Sequence, residues 1–213
     1  MDLRRYWPGV LAEHPDVLDR VRGSYDDPGR AYHNLLHLAE VFERIDVLLD
    51  SEPAPGIDRG AVLLAAWFHD AVYDTEGDNE ERSARLAERE LATAEVPPLL
   101  IEEVARLVRL TATHHTTSDD RAGKVLCDAD LGILAADRQR YEGYVEGVRE
   151  EYAGVCDDDF SSGRAKILRQ LMRSATLFQT SFARQHWEGR ARANVEKELS
   201  ELDARMRRSG EQR

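Results

Sequence analysis

The sequence predicts a helix from about Asp58 to Val72 that is apolar nearly all round, and the run Ala61 to Phe68 inside it ends in His69-Asp70. A helix that is apolar on every side belongs at the centre of a bundle. An imidazole and a carboxylate at the end of such a helix are costly unless something compensates them. The rest of the sequence agrees with a helical bundle. Leu35, Leu38, Val41, Phe42, Ile45, Leu48 and Leu49 recur at spacings of three and four, which predicts a helix from about Asn34 to Leu49, stopped by Pro53, Pro55 and Gly56. Alternating strand-type runs between turn signals are scarce, so the fold class expected is all-α.

Further helices are expected at several places. One lies within Leu3 to Val21, interrupted near Pro8 and Pro15. Another runs from Asn79 to about Ala94 behind a capping box of Asp78 and Glu81, and the next from Leu99 to Ala112 after Pro97-Pro98. Thr116 to Gly123 reads as polar loop and Asp128 to Ala135 as a short helical segment. Helices over Arg138 to Ala153 and Ser161 to Ala175 follow. The last pattern, Arg184 to Arg208, is strongly charged, with a thin stripe of Trp187, Ala191, Val195, Leu199 and Leu202, and predicts a solvated outer helix. At 213 residues a single domain over 1–209 is expected, with 210–213 as a disordered tail.

Composition narrows the partners. With 41 acidic against 29 basic residues the net charge is −12, which repels long nucleic acid. No run approaches the roughly 18 apolar residues of a membrane span, and the start carries no apolar segment, so a cytoplasmic protein is expected. Cys127 and Cys156 are too few for a disulfide framework or a thiolate metal site and read as reduced and structural.

Most of the imidazoles stand in short motifs: Tyr32-His33-Asn34-Leu35-Leu36-His37, His69-Asp70, and His114-His115. A pair of aspartates, Asp128-Ala129-Asp130-Leu131, follows. A divalent cation such as Mn²⁺, Fe²⁺, Co²⁺ or Mg²⁺ accepts imidazole and carboxylate together, and two of each leave open positions for water and substrate. Water on such an ion drops in pKa from 15.7 towards about 7 to 9 and becomes a nucleophile near neutrality. Cleaving a phosphate ester also needs a proton for the leaving oxygen, a task for a histidine near the ion and not on it. His33, four residues from His37, suits that task if the helix reaches back to it.

Across most of its length the chain resembles the HD-domain superfamily of metal-dependent phosphohydrolases, and in particular small bacterial predicted phosphohydrolases. Their YHNxxH, WFHDxVYD, NEExSA and DxDLxIL stretches appear here as Tyr32 to His37, Trp67 to Asp74, Asn79 to Ala84 and Asp128 to Leu134. The resemblance implies an HD-type helical bundle with a metal site at its centre, held by His37, His69, Asp70 and Asp130. The first motif is also similar to that of cyclic-nucleotide phosphodiesterases, which implies His33 as the general acid. The long phosphodiesterase domain and its His-Asp-x-x-His pattern are absent, so cyclic-nucleotide cleavage is not implied. A second metal is open, with His114 and His115 to hold it.

The expected activity is hydrolysis of a phosphate monoester or diester of a small, nucleotide-like metabolite, with one or two divalent ions per chain. Asp74 could orient the attacking water, and Glu80 or Glu81 could support a ligand histidine. Asp128 is expected to cap a helix while Asp130 binds metal. Arg30, Arg82 and Lys124 lie near the motifs and could hold a phosphate. Two other classes stay open. A di-iron oxygenase on the same scaffold would need both metals, and a non-catalytic module would bind a nucleotide and release it unchanged.

Overall fold

The computed structural model describes residues 3–51, 56–75 and 77–211. Among them are ten α-helices, three short 3-10 helices and no strand, so the fold is all-α as expected. The chain, expected as one domain, divides into two compact units, Met1–Asp130 and Leu131–Arg213. The second coheres through its own buried stripe and ionic network, described below. No helix among the described residues is long and apolar enough to cross a membrane.

The first unit is organised around α3 (Arg59–Phe68), whose residues Ala61 to Phe68 are all buried. Asp58 starts it by accepting the Ala61 N–H at 3.1 Å, a cap worth about 1 kcal/mol. Trp67 shows how an all-apolar helix satisfies its polar atoms. Its ring packs on Phe42 and Trp7, its indole N–H reaches the Tyr6 carbonyl at 3.2 Å, and its own carbonyl accepts the Tyr25 hydroxyl at 3.0 Å. The apolar faces of α1 (Pro15–Tyr25), α2 (Leu35–Ser51), α4 (Asn79–Thr93) and α5 (Pro98–Leu110) close around α3. Their buried positions follow the three-and-four spacing, as with Val17, Leu18, Val21 and Tyr25 on α1.

Several local expectations are corrected. α2 begins at Leu35 and does not reach back to His33, which lies in the turn before it. The reason is Asn34, whose side chain accepts the Leu36 N–H at 2.9 Å and so sets the helix start. Pro53 and Pro55, expected to stop this helix, lie outside the described residues. α4 starts at the expected place, but Asp78 makes no side-chain cap and no capping box forms. Glu81 is drawn instead to Arg109, at 2.6 and 3.1 Å, and to Arg85, at 2.8 Å.

α6 (Arg121–Leu131) begins within the expected loop, because Asp120 accepts the Gly123 N–H at 2.9 Å and caps it. Asp128, expected as a cap, therefore lies inside α6 and is fully buried.

In the second unit, residues 132–135 form a 3-10 turn, followed by α7 (Arg138–Glu151) and α8 (Asp157–Met172). The single last helix expected is two, α9 (Ser181–His186) and α10 (Glu188–Glu211), broken at Trp187. Thr180 caps α9 through the Ala183 N–H, while Trp187 closes it and packs on Phe178 and Phe182. α10 runs to Glu211, past the start of the expected tail. Residues 212–213 lie outside the described residues.

Candidate metal centre

His37 on the first turns of α2, and His69-Asp70 directly after α3, meet in the first unit. One donor atom from each lies within 4.8 Å of the others, a group that can hold a metal ion. The two imidazole Nε2 atoms face each other at 3.1 Å. Asp70 Oδ2 stands 3.0 Å from His69 Nε2 and 3.3 Å from His37 Nε2. Asp130, from the end of α6, adds Oδ1 at 3.3 Å from His37 Nε2 and 3.7 Å from His69 Nε2. Both histidines are buried, at 1% exposure.

The proton positions follow from the partners. His69 Nδ1 lies 2.8 Å from the Ala66 carbonyl, which only accepts, so Nδ1 carries a proton and Nε2 is the atom turned to His37 and the carboxylates. His37 Nδ1 is buried and has no hydrogen-bond partner among the described residues. Two imidazole Nε2 atoms and two carboxylates therefore converge, with no lysine or arginine among the four groups. Burial pushes the His69 imidazole down, but the charge of Asp70 and its hydrogen bond, with that of Asp130 behind, carry it up to about 9. His37 shifts upward in the same way: burial opposes, and Asp130 and Asp70 prevail. Both carboxylates move the other way. Burial raises Asp130, yet hydrogen bonds from His114 and His37 hold it well below the ordinary range, and the His69 and His37 imidazoles do the same for Asp70. The centre thus attracts positive charge, and the donor set suits a divalent ion.

The remaining predicted residues fall at different distances from this group. The half-buried His33 ring stacks on Tyr73 at 4.1 Å and lies 5.9 Å, centroid to centroid, from the His37 ring. His114 and His115 part company. His114 adopts a left-handed backbone (φ 54°) and donates through Nε2 to Asp130 Oδ2 at 2.8 Å, whereas the exposed His115 turns Nδ1 to the Thr113 carbonyl at 2.7 Å. Asp74 is exposed and pairs with Arg82, and it is not one of the converging donors. Lys124 donates to the Ser118 carbonyl. Glu80 is half-buried in the first turn of α4, and Glu81 is engaged by arginines.

The structure adds residues whose part the sequence reading missed. Ser83 is fully buried on α4 and holds the Val72 backbone at both N–H (3.0 Å) and carbonyl (3.2 Å), while Asn79 does the same for Asp74. These two side chains explain physically what the Asn79 to Ala84 stretch does: it ties α4 to the segment following the His-Asp doublet. Comparison with protein-family models, curated proteins and solved structures finds no match.

Proposed function

We propose that this chain is a metal-dependent phosphohydrolase of the HD-domain kind, acting on a phosphate ester of a small, nucleotide-like metabolite. The observation that carries the reading is the convergence of two imidazole Nε2 atoms and two carboxylates around one buried point. His37, His69, Asp70 and Asp130 would hold the ion, drawn from Mn²⁺, Fe²⁺, Co²⁺ or Mg²⁺. A divalent ion bound there would supply a Lewis acid for a phosphoryl oxygen and a water acidic enough to react near neutral pH.

The chain's own residues supply the rest. His114 donates to the outer oxygen of Asp130 and fixes which oxygen faces the imidazoles. Hydrolysis breaks the bond between phosphorus and the ester oxygen, and that oxygen needs a proton to leave easily. His33 lies beside the donor group without belonging to it, so its imidazole can carry that proton. Tyr73 limits the ring to one plane by stacking on it.

The test is phosphate release from a panel of nucleotides and sugar phosphates with each of the four ions, comparing the wild type with Asp70→Ala. Metal-dependent turnover that Asp70→Ala lacks supports the reading and names the substrate class. Turnover equal in both proteins overturns it.

A further inference from the structure

The peptide of Asp70 is held from both sides by residues that precede the first motif. Its N–H donates to the Tyr25 hydroxyl oxygen at 3.3 Å, and that hydroxyl in turn donates to the Trp67 carbonyl at 3.0 Å. Its carbonyl accepts Arg30 Nη1 at 2.6 Å, and the next carbonyl, of Ala71, accepts Arg30 Nη2 at 3.1 Å. The same Nη1 reaches the His33 carbonyl at 3.3 Å. The guanidinium lies between two aromatic faces, 5.3 Å from the Tyr25 ring and 5.6 Å from that of Tyr73. Arg30 is itself fixed, since the turn from Asp27 bonds its N–H at 3.0 Å and Asn34 Nδ2 bonds its carbonyl at 3.2 Å.

These contacts turn Arg30 away from the phosphate-holding part its place in the sequence suggested. A planar fork satisfies two successive carbonyls at once, which a lysine ammonium on a flexible stem does poorly. Carbonyls just past a helix end have no helical partner, so the guanidinium meets a need left by the stop of α3. One charged group then joins the turn carrying Asp70 to the turn carrying His33.

We infer that Tyr25 and Arg30 are positioning residues, a clamp on the Asp70 peptide that sets the direction of its carboxylate and holds His33 in register with it. This rests on the reading of His37, His69, Asp70 and Asp130 as a metal centre. Groups that orient metal ligands are worth about 10- to 100-fold in metal affinity.

The experiment is titration of the full chain with Co²⁺ well below its melting temperature, reading affinity by calorimetry and ligand geometry by the visible spectrum of the bound ion. The proteins compared are the wild type, Arg30→Lys and Tyr25→Phe. The expected result is one tight Co²⁺ site in the wild type, binding weakened about 10- to 100-fold in each variant, and an altered spectrum at saturation, with unchanged far-ultraviolet circular dichroism. A purely structural role would lower the melting temperature but leave affinity and spectrum of the folded protein as they were, and that result overturns the inference. Tyr25→Phe keeps the ring and removes one hydroxyl, so it decides the matter alone if Arg30→Lys does not fold. Failure of the wild type to take up Co²⁺ overturns the metal centre and the clamp together, whereas wild-type binding with unperturbed variants overturns the clamp alone.

Discussion

The rings of His33 and His37 are 5.9 Å apart, yet their surroundings give them different work. His37 is buried among carboxylates and faces His69, while His33 is half-buried and stacked on Tyr73. A ligand has to bring a lone pair to a fixed point, and a proton donor has to reach both the substrate and solvent. Under the proposed function, His33→Ala retains Co²⁺ affinity and loses turnover by about 10²- to 10⁴-fold, the usual worth of a general acid. His37→Ala loses the metal. Parallel metal titration and steady-state kinetics check this, and loss of metal from His33→Ala would mean that the two roles are exchanged.

At the scale of elements, the ends of helices decide where the donors lie, and charged pairs decide how helices join. Glu81 on α4 meets Arg109 on α5 and Arg85 on its own helix. The Arg109 hydrogen bond, with that of Arg85, pulls its carboxyl from an ordinary 4.5 down to about 2. A carboxyl whose folded value is depressed adds stability above its unfolded value and loses it as pH falls through the folded one. Glu81→Gln should therefore melt below the wild type at pH 7 by a gap that narrows under pH 4.5 and closes near pH 2. Thermal melts across that range measure it, and a gap independent of pH would count against the ion pairs. The same pairs explain why no capping box forms between Asp78 and Glu81: arginines supplied by the fold outcompete a local backbone donor. Legibility followed cost. The apolar run of α3 and the spacing of α2 admit few alternatives, and imidazoles beside carboxylates on buried helix ends are too expensive to be incidental. The converging donors were therefore nameable one by one. The backbone contacts of Arg30, Tyr25 and Ser83 were not, because each reaches backbone 11 to 45 positions away, and no local pattern encodes that meeting. The start of α6 was hidden by Gly123, a poor helix former whose N–H takes the Asp120 cap.

At the scale of the whole molecule, two buried polar centres stand out among the described residues, and their charge balance separates their tasks. In the first unit, carboxylates and imidazole Nε2 atoms converge in a group that can hold a metal ion. In the second, the network is already complete. Glu198, only 5% exposed on α10, accepts the Tyr141 hydroxyl at 2.5 Å and Arg164 Nε at 2.8 Å, and Arg164 Nη2 reaches the Tyr144 hydroxyl at 2.6 Å. α10 is thus more than the solvated outer helix its charges suggested, since it buries an acid alongside Ala191, Val195 and Leu202. Burial and the neighbouring Glu198 carboxylate push the Tyr141 hydroxyl strongly up, so it stays a donor at any working pH. A closed network of this kind is structural. Removing one charged partner strands the other away from water, so Glu198→Ala should cost about 3–5 kcal/mol in urea unfolding at pH 7. Replacing the network as a unit, with Glu198→Leu, Arg164→Met, Tyr141→Phe and Tyr144→Phe, leaves no charge stranded and should recover most of that loss. If the single variant unfolds like the wild type, the network is too well hydrated to anchor the second unit. If the quadruple variant is as unstable as the single one, the network's geometry, and not its charge balance, holds α7, α8 and α10 together.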